Sequence, residues 1–309
     1  MKIYSSEQIR QIEAHTVDEQ QICWDQLMEK AAKSFVSQLN VDQLNCYSEC
    51  VILCGSGNNG GDGIVIGKIL AGFLSVPVKL FLFDNFSKKS TLRISKLKTL
   101  LINSNLQLYS IDDQLLIPII NPNALVIDAL FGIGLNKPIR NNLDAVVNEI
   151  NNSEAQILAV DTPSGLFADY LNNENDAIIK ANRTVTFQYP KLSFFLSDNL
   201  DKVGHLTITD IGLSEPPNML TLNHLTTKED IVKLLYPRSR GSHKGQNGHV
   251  LIAGGSEGMY GAPVLAALGS LHSGAGYTHI LIPKKGWTMV QDKPDIMIRT
   301  TSQVTRLEE

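Results

Sequence analysis

The chain has 309 residues, 43% of them hydrophobic and 19% charged, with a formal net charge of -4. That composition suits one large folded domain or two ordinary ones and excludes a disordered chain. The mild acidity gives no basis for a nucleic-acid or anionic-membrane partner, and no apolar run reaches the roughly 18 residues that cross a bilayer. The opening stretch, Met1 to Glu7, lacks an apolar signal core, so a cytoplasmic protein is expected.

Ser5 or Ser6 is placed to cap a first helix carrying Ile9 and Ile12. A second helix is predicted over about residues 24–39, where Leu27, Met28, Ala31, Ala32, Phe35, Val36 and Leu39 fall on one face. Both helices are expected only to pack on a sheet. Strands are then predicted at 50–53, 78–83, 106–109, 125–128, 157–161, 183–187 and 206–211, with helices at 64–74, 87–102 and 142–151. Apolar strand runs separated by helices predict a parallel sheet covered on both faces. The polar, proline-bearing stretch 213–218 reads as a linker. Beyond it a second unit begins near Thr226, with a helix at 228–235, strands at 249–253 and 277–282, and a small-residue helix at about 262–272. Two strands and two helices close a core poorly, so this unit reads as the beginning of a domain.

Cys46, Cys50 and Cys54 are evenly spaced, but the spacing is not C-x-x-C and no histidine lies near. With Cys23, they are expected to be reduced, partly buried thiols.

The chemistry-bearing turns follow strands. Gly55-Ser56-Gly57-Asn58-Asn59-Gly60-Gly61-Asp62-Gly63 joins a predicted strand to a predicted helix, an arrangement that cradles a phosphate against backbone N–H groups. Its first six residues fit G-x-G-x-x-G, and Asp84 ends the next strand, so a dinucleotide dehydrogenase is one reading. The extra polar residues of the turn exceed that fingerprint. Asp128-Ala129-Leu130-Phe131-Gly132-Ile133-Gly134 and Asp161-Thr162-Pro163-Ser164-Gly165 repeat an acid-then-glycine layout at two further strand ends. Ligands of parallel sheets bind at such ends, so the three turns are expected to share one crevice. Asn59, Asp128 and Ser164 form a set of hard oxygen donors suited to an alkali or alkaline-earth cation, and Asp161 is a candidate general acid or base. Gly254-Gly255-Ser256-Glu257-Gly258 matches the nucleophile-elbow pattern G-x-S-x-G, but little chain follows to supply a relay.

These three turns, in this order, resemble the signature segments of the NAD(P)H-hydrate epimerase family, also called the YjeF N-terminal domain, over residues 1–217. Downstream, His243-Lys244-Gly245, residues 248–256 and Tyr260-Gly261-Ala262-Pro263 resemble the opening of the ADP-dependent NAD(P)H-hydrate dehydratase domain over residues 226–309. The resemblance implies a Rossmann-like three-layer α/β/α sheet domain followed by an incomplete ribokinase-like α/β domain. It implies an isomerase that interconverts the R and S hydrates of NADH and NADPH (NADHX and NADPHX) in nicotinamide nucleotide repair. It assigns catalysis to Asp161. It assigns the nucleotide to Asn58, Asn59, Gly60, Gly61, Asp62, the turn Gly132, Ile133, Gly134, Leu135, Asn136, Lys137 and Pro138, and Asp161. It assigns a potassium ion to Asn59, Asp128 and Ser164 with backbone carbonyls. Ala262 would belong to the dehydratase site. The later glycine-rich motif that carries the ADP-binding segment and catalytic aspartate of that domain does not follow Pro294-Asp295-Ile296-Met297, so an inactive lyase half is expected. A homo-oligomer is compatible with the resemblance. The other readings are a bifunctional epimerase/dehydratase and a non-catalytic nucleotide- or protein-binding module.

Overall fold

The computed structural model describes residues 1–83, 106–111, 119–140, 142–235 and 237–301. The predicted helix at 87–102 and the candidate ribose ligand Asp84 lie outside the described residues. The chain divides into two compact units, Met1–Thr227 and Lys228–Glu309.

The first unit opens with a short strand β1 (Lys2–Ile3) and helices α1 (Ser6–Glu19) and α2 (Trp24–Ser37). Ser5 caps α1 through a reciprocal pair with Gln8: the Ser5 hydroxyl accepts from the Gln8 N–H at 3.2 Å, and the Gln8 side chain accepts from the Ser5 N–H at 3.1 Å. The chain then runs through β2 (Glu49–Cys54), α3 (Asn58–Ala71), β3 (Val78–Phe83), β4 (Leu106–Ile111), β5 (Ala124–Ala129), α4 (Leu143–Asn152), β6 (Gln156–Val160), β7 (Arg183–Phe187) and β8 (His205–Thr209). These strands form a seven-stranded parallel sheet in the order β4-β3-β2-β5-β6-β7-β8.

Alternation along β2 separates the two cores. Cys50, Ile52 and Cys54 face one way, into a core shared with Ile9 and Ile12 of α1, Leu27 to Val36 of α2, and Ile64, Ile66 and Leu70 of α3. Val51 and Leu53 face the other, onto Leu143, Val146, Val147 and Ile150 of α4. The sheet is therefore a middle layer between helices, as a run of wholly buried strand residues requires. All four cysteines are free. Cys50 and Cys54 are buried in the sheet, where loss of hydration pushes the Cys50 thiol up to about 12.

Strand order reverses beside β2. From it the chain moves outward to β3 and β4, then returns to the other side with β5 and continues to β8. The carboxyl ends of β2 and β5 thus flank a topological switch point, where open α/β sheets form a crevice.

Two predicted boundaries move. The stretch predicted as a linker is tied down: Gln188 holds the backbone of Leu213 at both ends, at 2.8 Å and 2.7 Å. The chain then returns so that β9 (Asn223–His224) pairs antiparallel with β1. The first compact unit accordingly runs on to Thr227. The glycine-rich stretch is not a long loop before a helix at Ile64; α3 starts at Asn58, inside it.

The second unit carries α5 (Lys228–Leu234), β10 (His249–Ala253), α6 (Gly261–His272), β11 (Tyr277–Pro283) and β12 (Ile296–Thr301). The three strands pair in parallel in the order β10-β11-β12, one strand more than the sequence pattern predicts. Its core is small and centres on Val264, Ala267, Ile280, Ile282, Val290 and Ile296. Among the described residues no histidine hydrogen-bonds to Ser256, so the elbow pattern lacks its base.

Candidate functional site

The glycines after β2 answer to close packing. A Cβ on Gly55 would lie 1.9 Å from the Leu130 carbonyl oxygen, and one on Gly60 would lie 1.7 Å from the Gly55 carbonyl oxygen. Only hydrogen fits at either place, so α3 can start directly against the end of β5. The Gly55 N–H donates to the Ala129 carbonyl at 3.1 Å, which ties the ends of β2 and β5 together. Gly57 is the N-cap of α3 and has no side chain with which to cap it. The positive end of the helix is thereby left facing the crevice.

A cleft of about 400 Å³ opens at this point. Its walls are Ser56 to Asn59 and Asp62 from the start of α3, Leu130 to Lys137 from the turn after β5, Asp161 after β6, Phe187 at the end of β7, and Arg10 and Glu13 of α1. Of the predicted nucleotide-binding residues, Asn58, Asn59, Asp62, Gly132, Ile133, Gly134, Leu135, Asn136, Lys137 and Asp161 line it. Gly60 and Gly61 are buried in the first turn of α3, and Pro138 follows the lining turn. Ala262 lies in the second unit, in the first turn of α6.

Asp161 has φ of 63°, a left-handed conformation that costs a non-glycine residue of order 1 kcal/mol or more. Its neighbours hold it there. Its N–H donates to the Val185 carbonyl at 2.9 Å. Oδ1 accepts from Lys191 Nζ at 2.5 Å, from the Thr186 hydroxyl at 3.0 Å and from the Phe187 N–H at 3.1 Å. Among the described residues nothing donates to Oδ2. The Lys191 side chain is 1% exposed and that of Asp161 13%, so the lysine is a buried counter-charge behind a carboxylate that reaches the cleft. Lys191 also donates to the Thr186 hydroxyl at 2.7 Å and the Tyr189 carbonyl at 3.1 Å, which satisfies all three ammonium protons.

The three predicted metal ligands meet in one network. Ser164 donates its hydroxyl to Asp128 Oδ1 at 2.5 Å and its N–H to Oδ2 at 2.7 Å. Its hydroxyl accepts from the Phe131 N–H at 2.9 Å, and Asn59 Nδ2 donates to the Phe131 carbonyl at 2.9 Å. Asp128 is wholly buried, and burial pushes its carboxyl up to about 6, against the hydrogen bonds from Ser164 and Leu130. Among the described residues no lysine or arginine pairs with it. A buried carboxylate lacking a counter-charge, set among hydroxyl, amide and carbonyl oxygens, matches the needs of a hard cation. No cluster of three or more His, Cys, Asp or Glu exists among the described residues, so a thiolate or imidazole metal site is not built there.

Three site residues escape sequence reading. Lys191 lies thirty residues beyond its partner and outside any motif. Arg10 and Glu13 belong to a helix expected only to pack. Ile9, Ile12 and Thr16 do pack, while Arg10 and Glu13, one turn apart, reach the cleft from the same helix. Charged residues at i and i+3 ordinarily mark a solvated face; Glu13 is instead partly buried. Burial and the charge of Asp161 raise its carboxyl to about 7.

Comparison with known proteins agrees with this architecture. The family model for "YjeF-related protein N-terminus" matches residues 24–193. A bifunctional NAD(P)H-hydrate repair enzyme of Dictyoglomus turgidum is 32% identical over 295 residues, covering 92% of this chain and 55% of that protein. An NAD(P)H-hydrate epimerase of Oenococcus oeni is 33% identical over 215 residues, covering 69% of this chain and 97% of that protein. The crystal structure of a yeast protein, ynu0, shares the fold with a TM-score of 0.54 at 20% identity, covering 72% of this chain and 98% of that one. The chain spans about half the length of the bifunctional relatives it matches. With the family model covering more than half of the chain, and with the seven-stranded sheet and its glycine-rich switch point in place, the chain belongs to the family of YjeF-related proteins, whose N-terminal domain forms its first unit.

Proposed function

We propose that the first unit is an NAD(P)H-hydrate epimerase acting on the R and S hydrates of NADH and NADPH. The observation that carries the reading is Asp161: a backbone-strained carboxylate, backed by a buried lysine, with one oxygen that receives no donor among the described residues, in a cleft walled by a helix N-terminus. The Gly57–Asn59 end of α3 and the 132–137 turn, with Arg10 and Lys137 at hand, suit the phosphates of a dinucleotide. Asp161 then faces the hydrated ring and moves the proton on which the change of configuration depends. The names of the Dictyoglomus and Oenococcus relatives support the same reaction.

Asn59, Asp128 and Ser164, with the Phe131 carbonyl, would hold a potassium ion. The ion would supply positive charge that orders the turns after β2, β5 and β6; the proton chemistry stays with Asp161. For the second unit the expectation is an inactive ADP-dependent lyase half, and no residue group described above argues for lyase activity.

The test is a coupled assay. The purified chain is mixed with the R hydrate of NADH, an S-specific dehydratase and its nucleotide, and NADH absorbance is followed. Full, rapid recovery beyond the spontaneous rate supports the reading. Recovery at only the spontaneous rate, with folded protein, overturns it and favours a nucleotide-binding module. Leaving out the added dehydratase tests the second unit for lyase activity.

A further inference from the structure

The epimerase reading gives no part in the chemistry to Glu13, a carboxyl that lines the cleft. Resting on that reading, we propose that Glu13 is a second proton-transfer residue of the site, the acid that works opposite Asp161 as base.

Glu13 lines both the main cleft and an adjoining recess of about 50 Å³ that it shares with Trp24, Met28, Asp62 and Phe187. Among the described residues it makes no hydrogen bond and no ion pair. A carboxyl without partners is costly in a partly buried place unless it is neutral or has work to do. The charged groups around it are Arg10 on its own helix, Asp62 on α3, Lys137 in the turn after β5, and Asp161 with Lys191 behind it. Asp161 has its counter-charge at 2.5 Å; Glu13 has none. Burial, then the Asp161 charge, lift the Glu13 carboxyl to about 7, while Lys191 and Arg10 act in the opposite sense. Of the three carboxyls that line the cleft, Asp161 is ion-paired and Glu13 is near half-protonated at neutral pH, and these two divide naturally into base and acid.

The chemistry needs both. Hydration of the enamine in a reduced nicotinamide leaves a hydroxyl on the ring carbon bonded to nitrogen. Glu13 gives its proton to that hydroxyl; the C–O bond breaks, water leaves, and the nitrogen lone pair forms C=N. Water then adds from the opposite face: a new C–O bond forms, the C=N electron pair returns to nitrogen, and Asp161 takes the surplus proton. One water has left and one has entered, and one proton has passed from Glu13 to Asp161, to be restored through solvent. In the reverse direction the two residues exchange roles.

The test uses the full chain in the coupled assay across pH. Glu13→Gln keeps shape and volume and cannot release a proton. The expected result is a wild-type profile with a limb near pH 7 and, in Glu13→Gln, a kcat about 100-fold lower or more, little change in KM and loss of that limb. Glu13→Asp should recover part of kcat together with the limb. A Glu13→Gln enzyme with kcat near wild type, a change confined to KM, or a limb that persists in the variant would overturn the assignment. Should Glu13→Gln not fold, the wild-type profile decides: no limb near pH 7 overturns it, and a limb that moves in Glu13→Asp supports it. An inactive wild type removes the epimerase reading and this inference together. An active wild type beside an equally active Glu13→Gln removes the inference alone.

Discussion

Asp161 and Glu13 show two ways in which a cleft sets a carboxyl. Asp161 is held by three donors on one oxygen, one of them a buried lysine, whereas Glu13 has no hydrogen bond or ion pair among the described residues and feels burial most. The second case has a consequence for stability. A carboxyl raised from 4.5 to about 7 on folding favours the folded state fully below pH 4.5, and that contribution is lost as pH rises through 7. Glu13→Gln should therefore melt higher than wild type at pH 8, by an amount equivalent to roughly 1–3 kcal/mol, with the gap closing by about pH 5; equal melting temperatures across pH would contradict the shift. Asp128 is the residue-scale test of the cation. Asp128→Ala removes the buried charge and should abolish any gain in melting temperature or rate from potassium over a bulky cation; an unchanged salt response would count against the metal role. Asp128, Asp161, Asn59 and Ser164 were legible in the sequence because each falls in a glycine-bearing segment that ends or follows a predicted strand. Lys191 and Glu13 were not: their partners are brought to them by β7 and by α1, and linear spacing carries no trace of that.

At the scale of elements, β3 and β7 match their predicted bounds, and the other strands of the large sheet differ at their ends by two residues or fewer. In β2, β5 and β6 four or five consecutive apolar residues leave little choice, while β3, β4, β7 and β8 are marked by alternating or β-branched and aromatic positions. The start of α3 was harder to read. Asparagine and glycine are poor helix formers, so propensity placed the helix after them, at Ile64. Tertiary contact overrides that preference, since Gly55, Gly60 and Gly63 let the first turns of α3 press onto the ends of β2 and β5. The two roles of glycine separate by mutation. Gly60→Ala places a methyl against the Gly55 carbonyl and should cost about 3 kcal/mol or more. Gly57→Ala meets nothing within 4 Å and should cost about 1 kcal/mol or less, as an N-cap change. Thermal or denaturant unfolding of the two variants compares them directly, and equal losses would contradict the packing argument.

On the scale of the whole molecule, every group given a part in the proposed reaction, from Arg10 to Lys191, lies within Met1–Thr227. The Oenococcus epimerase is matched over 97% of its length by only 69% of this chain, so a protein of about this size stands alone in the family. A fragment of residues 1–227 should accordingly keep kcat and KM within about twofold of the full chain; this is read in the same coupled assay, and a fragment that folds but loses turnover would place part of the site in the second unit. The apolar pattern of the sequence breaks after residue 213, and the chain divides into two compact units after Thr227. The pairing of β9 with β1 carries no sequence signal, because it joins residues more than two hundred apart, each in a strand of only two residues.

The central claim is that Asp161 moves the proton that changes the configuration of the hydrate. The most direct measurement compares wild type with Asp161→Asn on the R hydrate of NADH, with turnover followed by coupled absorbance and hydrate affinity measured separately. The account predicts rapid interconversion by the wild type and a kcat at least about 100-fold lower in Asp161→Asn, with affinity retained. Full turnover by Asp161→Asn, with normal binding, would contradict it.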